Sequence, residues 1–304
     1  MSNPKPGNPD IQLQHSGRLS IGSGNGGLER ITLKSSQASA EIYPHGAHVT
    51  GFQLAEQPPL LFLSRLSPFA PGKAIRGGVP ICLPWFGSRP GSPLGHGFAR
   101  ITRWDILGSR DLPQGGVAVR FRLPENSAST GWPKFNAEFE VAVTDRLEME
   151  LSVENQSNQP LEYEDCLHTY FHVGNIAQVT VTGLESAFYL DKTDQNARKQ
   201  EGREPIRILR ETNRIYPETP GSIEIRDATL RRVIRIDRTG SRSTVLWNPW
   251  TTQLMPDFDP AEHASMVCVE AGNVGSDRIV LAPGETHRLR VALSSSPLSG
   301  AERL

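Results

Sequence analysis

A chain of 304 residues with 37% hydrophobic and 21% charged residues has ordinary globular composition and enough length for a large core. Thirty-two Lys and Arg against 33 Asp and Glu leave a formal charge of −1, which excludes a global electrostatic footprint for nucleic acid or an anionic membrane. No stretch approaches the ~18 consecutive apolar residues of a membrane helix, and the first residues lack the basic and apolar regions of a signal peptide.

Residues 1–27 are polar and rich in Gly, Ser and Pro, ending in Gly22-Ser23-Gly24-Asn25-Gly26-Gly27. They read as a flexible arm, with one β-sandwich domain expected over 28–304. From Leu28 onward short β-rich runs alternate with turn residues. They are Ile31–Lys34, Ala38–Tyr43, His48–Phe52, Val117–Leu123, Phe135–Val143, Leu147–Val153, Val179–Val181, Val233–Ile236, Val245–Trp247, Met266–Val269 and Leu289–Leu293. Many alternate apolar with polar, as in Glu138-Phe139-Glu140-Val141, which is the period of a half-buried strand. Twenty-eight Gly and 24 Pro exceed the typical combined ~12%, and no long window carries a helical stripe. The fold class expected is all-β, an antiparallel sandwich of many strands. Cys82, Cys166 and Cys268 form no even framework and sit in apolar runs, so they read as buried free thiols in a reducing cytoplasm.

Three segments break the strand rhythm. Residues 73–100 are dense in Gly and Pro yet carry Trp85, Phe86 and Phe98. Arg76 beside Gly77-Gly78 and Arg100 after His96-Gly97-Phe98-Ala99 offer forked donors for a phosphate or carboxylate, and the glycines permit close backbone approach to a ligand. The plain alternative for any one arginine is a solvated surface. The second segment, Glu164 to Gly174, places His168, Tyr170 and His172 on one face if it is a single strand. His168 can then be a proton-transfer group, a hydrogen-bonded core histidine, or, with His172, half of a metal site that lacks a recognisable third ligand. In the third, Glu270 ends the apolar run Met266–Val269 before a Gly-containing turn. Burial there would raise its pKa and make it a base near neutral pH, against the alternative of a solvent-facing strand end. The run Arg231, Arg232, Arg235, Arg238 and Arg242 reads as a solvated basic face.

Ile75-Arg76-Gly77-Gly78-Val79-Pro80, Pro84-Trp85-Phe86-Gly87, His96-Gly97-Phe98-Ala99-Arg100, Leu167-His168-Thr169-Tyr170-Phe171, Trp247-Asn248-Pro249-Trp250 and Cys268-Val269-Glu270 resemble the signature segments of the D-hexose-6-phosphate mutarotases (glucose-6-phosphate 1-epimerases). The resemblance spans roughly residues 40–290 in order, which is more specific than any single motif. It implies a galactose-mutarotase-like β-supersandwich, with His168 as general acid and Glu270 as general base. It also implies Arg76 and Arg100 as phosphate ligands, His96 as a further substrate contact, no cofactor and no metal. Similar proteins tend to carry an acidic residue before the Arg-Ile-Tyr segment, where this chain has Asn213. Asn213 keeps the capacity to bond a sugar hydroxyl but adds no charge. The expected activity is interconversion of the α and β anomers of a hexose 6-phosphate, the expected partner that small molecule, and the expected state a monomer. The alternatives are a non-catalytic carbohydrate-binding module, an aldose 1-epimerase acting on unphosphorylated sugar, and a metal-dependent sugar isomerase or hydrolase.

Overall fold

The computed structural model describes residues 17–125 and 131–298. Two large antiparallel sheets dominate. One has nine strands, in the order Ile206–Arg207, Val179–Thr182, Ile223–Asp227, Arg232–Thr239, Thr286–Pro297, Leu147–Asn155, Phe135–Val143, Gly116–Arg122 and Asp105–Leu112. The other has eight, running Ala197–Gln200, Phe188–Asp191, Thr212–Tyr216, Ser243–Asn248, Met266–Asn273, Asp165–Leu167 and Ile81–Cys82, with Tyr170–His172 also paired to Met266–Asn273. A four-stranded sheet from Leu19 to Leu54 and a two-stranded ribbon, Leu161–Tyr163 with Ile279–Leu281, complete the set among the described residues. This is the all-β class expected from the alternating pattern. Among the described residues no helix is long and apolar enough to cross a membrane.

The alternation does in the nine-stranded sheet what period two requires. Along Leu147–Asn155 every second residue is buried, and Phe139, Leu151, Leu289 and Ile234 enter one continuous apolar core with residues of the four-stranded sheet such as Ile31, Leu33 and Phe52. The expected boundary at residue 28 falls inside the first sheet instead. Residues 1–16 of the expected arm lie outside the described residues, but Leu19–Ser23 is a strand paired with Glu29–Leu33. Leu19 is buried, and its alternation with Ile21 was masked by the surrounding Gly and Ser.

The arginine run is also corrected. Arg232 and Arg238 are buried. Arg232 donates to the backbone oxygens of Pro58, Pro59 and His172, and Arg238 to those of Gly221, Ser243 and Thr219. Their forked donors satisfy backbone carbonyls of loops and strand ends. Arg235, by contrast, is exposed and meets Asp237 and Glu224.

Candidate active site

One face of the eight-stranded sheet gathers the chemistry. Across the antiparallel ladders Tyr170 lies opposite Cys268, Val245 opposite Glu270, and Trp247 opposite both Cys268 and Asn213. Directly opposed residues, and residues two apart on a strand, share a face. Tyr170, Asn213, Trp247, Cys268 and Glu270 therefore project together. Cys166, opposite Cys82 and Gly272, extends the same face, so three buried thiols floor the region. Glu270 is not at a strand end, as the sequence led us to expect, because Met266–Asn273 continues for three residues beyond it and is buried throughout. Gly272 carries the strand past Cys166: a Cβ there would stand 2.6 Å from the Asp165 carbonyl oxygen and 2.9 Å from the Cys166 sulfur. This is a close approach that only glycine permits.

His168 is delivered by a break in the chain, not by a strand. Asp165–Leu167 and Tyr170–His172 flank it, its amide donates to the Pro80 carbonyl (3.0 Å), and the Thr169 amide turns back to Leu167 (2.9 Å). The interruption means that the two histidines do not belong to one continuous strand, and His172 lines a separate surface cavity with Thr50, Pro59 and Glu262. The imidazole stacks on the Tyr170 ring (centroids 4.8 Å apart, 14° between planes) and meets the edges of Trp247 and His96. Its Nε2 lies 3.3 Å from Glu270 Oε1. Both groups are almost fully enclosed, at 7% and 1% exposure.

Burial governs the electrostatics of this pair. It pushes Glu270 well above the usual carboxylate range, against a thiol donation from Cys166 Sγ to Oε2 (3.4 Å) and the positive charge of Arg100. It pushes His168 well below the usual imidazole range, helped by His96, Arg100 and Arg76. Both groups therefore favour their neutral forms in the free protein. His168 Nδ1 and Glu270 Oε1 have no hydrogen-bond partner among the described residues. Buried atoms left this way are expensive unless something arrives to meet them.

The arginines differ from one another. Arg76 is engaged: its Nε and Nη2 hold the Asp257 carboxylate at 3.2 Å each, and its Nη1 donates to the Tyr170 hydroxyl (3.0 Å). Tyr170 and Asp257 keep its guanidinium charged despite burial. The glycines after Arg76 serve packing and not ligand approach. At φ 118° and 59°, Gly77 and Gly78 press against the backbones of Phe62-Leu63 and Val49-Thr50, where a Cβ would come within 2.5 and 2.2 Å of a carbonyl oxygen. Arg100 donates through Nη2 to the Gly95 carbonyl (2.9 Å), and its buried Nε has no partner among the described residues. His96 is pushed down to about 3, by burial first and then by Arg100, Arg76 and Lys192. Its Nδ1 accepts from the Gly87 amide (3.3 Å) and lies 3.4 Å from the Cys82 sulfur. The accepting Nδ1 places the ring proton of the neutral imidazole on Nε2, where it is a donor.

Asn213, half-buried and opposite Trp247, lies on the face of the pair, and Lys192 is tied to its carbonyl. The structure thus gathers His168, Glu270, Arg76 and His96 around one centre, with the charge of Arg100 felt at His168, His96 and Glu270. Trp247 and Phe86 border His168, whereas Trp85 packs away in the core against Phe98 and Trp132. Sequence reasoning missed Asp257 as the partner of Arg76 and Cys166 as the donor to Glu270. Neither spacing carries a local signal.

Residues 29–294 match the family described as Aldose 1-epimerase. The chain belongs to the aldose 1-epimerase family. That membership makes it an isomerase and sets aside the non-catalytic carbohydrate-binding module. Relatives extend the likeness over nearly the whole chain. A protein of Cenchrus ciliaris named "Putative glucose-6-phosphate 1-epimerase" is 36% identical over 288 residues, covering 90% of this chain and 86% of its own. One of the same name from Escherichia coli K12 is 32% identical over 266 residues, covering 86% and 88%. A crystal structure of a "putative mutarotase" from Salmonella typhimurium superposes with a TM-score of 0.85 at 28% identity, over 94% of this chain and 96% of that one. The supersandwich expected from the resemblance is therefore the fold of this chain.

Proposed function

We propose that this epimerase interconverts the α and β anomers of a hexose 6-phosphate, with Glu270 as general base and His168 as general acid. The observation that carries the reading is the enclosed juxtaposition of Glu270 Oε1 and His168 Nε2 at 3.3 Å. The names of the relatives, glucose-6-phosphate 1-epimerases, support the substrate class. Ring opening requires that a proton leave the anomeric hydroxyl and that one reach the ring oxygen. Glu270 takes the first and His168 supplies the second. The C1 aldehyde turns about the C1–C2 bond, and closure with the roles reversed delivers the other anomer. The proton that burial keeps on Glu270 passes to His168 Nε2, 3.3 Å away, which gives the carboxylate and imidazolium that the two transfers require.

Arg76 and Arg100 are the proposed holders of the phosphate, and His96, through Nε2, and Asn213 the proposed donors to sugar oxygens. Arg100 is the freer of the two arginines, while Arg76 reaches the phosphate with what Asp257 and Tyr170 leave of its fork. A phosphate dianion seated on them offsets the two positive charges that hold His168 down. Phosphate binding would then ready the acid as well as anchor the sugar. Trp247 and Phe86 flank the sugar's apolar face.

The test is exchange NMR on equilibrated glucose 6-phosphate. The protein is expected to speed α/β exchange far above the protein-free rate, and to do so less for glucose. Exchange unchanged by the protein overturns the reading. Equal acceleration of both sugars favours the alternative of an aldose 1-epimerase for unphosphorylated sugar.

A further inference from the structure

We propose that His168, Cys268 and Glu270 form a site for one thiophilic divalent cation of the zinc class, which displaces the sugar and so inhibits the enzyme. The proposal stands on geometry. One ligand atom from each residue, an imidazole nitrogen, the thiol sulfur and a carboxylate oxygen, lies within 4.8 Å of the others. In a tetrahedral zinc site, with bonds of ~2.0 Å to nitrogen and ~2.3 Å to sulfur, ligand atoms stand roughly 3.3–3.8 Å apart. The His168–Glu270 separation of 3.3 Å already meets that spacing, and the Cys268 sulfur, within 4.8 Å of both, has at most ~1.3 Å to close.

Three further features favour an ion here. Glu270 Oε1 has no hydrogen-bond partner among the described residues, although Glu270 is 1% exposed, so a ligand atom is enclosed and unsatisfied. Cys166 donates to the other carboxylate oxygen, Oε2, and such a contact orients a ligating carboxylate. The three residues come from the site's own face and the adjacent chain break, so an ion held by them takes the place of the sugar's reacting atoms. A nitrogen, sulfur and oxygen set of this kind selects zinc or its neighbours over magnesium or calcium, which require oxygen ligands. Coordination is by thiolate and carboxylate, so binding releases the protons of Cys268 and Glu270 to solvent. An ion held by the proton-transfer pair leaves neither group able to serve the sugar.

The inhibition rests on the mutarotase reading, but the binding does not, and the two are measured separately. Titration of the full chain with cobalt(II) is expected to give a thiolate-to-cobalt charge-transfer band saturating at one ion per chain, with zinc(II) displacing it. Cys268→Ser and Cys268→Ala should each abolish the band, while Cys82→Ser, on the same floor but outside the trio, keeps it. His168→Gln, which removes a ligand outright, should weaken cobalt binding at least ~10-fold, the smallest loss typical of changing even a partner that only orients a ligand. In the exchange assay zinc should slow glucose 6-phosphate anomerisation competitively with the sugar. No one-to-one band, a band that survives both Cys268 variants, or anomer exchange undiminished at saturating zinc overturns the proposal. A wild-type protein that shows the band but never accelerates exchange overturns the function and leaves the site standing.

Discussion

The two large sheets use the same strand rule for different ends. In the nine-stranded sheet, alternation puts apolar residues into the core and charged residues on the outer face, where Arg122 meets Glu138 at 2.7 Å and Arg290 meets Glu150 at 2.5 Å. In the eight-stranded sheet, Met266–Asn273 is buried at all eight positions and still carries a carboxylate at its fifth. Around it lie orphaned atoms of His168 and Glu270 and three thiols. A buried ionisable group costs several kcal/mol unless paired or neutralised. The first sheet meets its buried charges Arg232, Arg238 and Asp227 with backbone partners, whereas the second gathers its ionisable groups around one pair. That concentration is what distinguishes a reactive sheet from a supporting one, and the two respond differently to substitution.

The largest effect belongs to the reactive sheet. Glu270→Gln removes the base while keeping size and much of the packing, and should lower anomer exchange by about 10²–10⁴-fold, the usual value of one positioned proton-transfer group. Exchange NMR reads it directly, and a rate within a few-fold of wild type would separate the burial of Glu270 from function.

Next comes pH. His48 is fully enclosed, bonds the Gly77 carbonyl through Nε2 (2.7 Å), and is lowered from 6.5 to about 3, chiefly by burial. Its neutral form is the folded form, so its contribution is complete above 6.5 and is lost as pH falls toward about 3. At ~1.4 kcal/mol per unit this amounts to a few kcal/mol. Asp165, pushed up to about 7 by burial, has the opposite sign, its contribution fading as pH rises toward 7. Denaturant unfolding at pH 7.5 and pH 5 should therefore show a smaller acid loss in His48→Gln than in wild type. An identical loss would remove His48 from the account.

Arg100→Gln should reduce the preference for glucose 6-phosphate over glucose by roughly 10- to 100-fold, since a hydrogen bond between charged groups is worth ~1.5–3 kcal/mol. An unchanged preference would leave the phosphate to Arg76 or to another group. The smallest effect belongs to the supporting sheet. Arg122→Ala should cost no more than ~1 kcal/mol in denaturant unfolding, because its pair with Glu138 is half exposed.

How much of this was visible in the sequence follows from what each feature depends on. Phe135–Val143 is bounded in the structure as it is in the sequence, because its alternation is local. Leu19–Ser23 was hidden because a strand flanked by Gly and Ser reads like a loop. His168 and Glu270 could be singled out by type and by family resemblance, but not their geometry. The break that turns His168 toward Glu270 and the extension of the Glu270 strand to Asn273 both depend on pairing with distant segments. The Asp257 carboxylate on Arg76 and the Cys166 thiol on Glu270 were illegible for the same reason, since register between remote strands leaves no trace in either strand alone. Buried Arg232 and Arg238 looked like their exposed neighbours because only the distant backbone carbonyls they bond distinguish them.

The central claim is that His168 and Glu270 act as one proton-transfer unit on the sugar. The most direct measurement is a double-mutant cycle by exchange NMR on glucose 6-phosphate with His168→Ala, Glu270→Gln and the double variant. Groups that act as a unit are strongly non-additive, so each single variant should lose most of the acceleration and the double should lose little more than the worse single. Losses that multiply, or a single variant that keeps the wild-type rate, would contradict it.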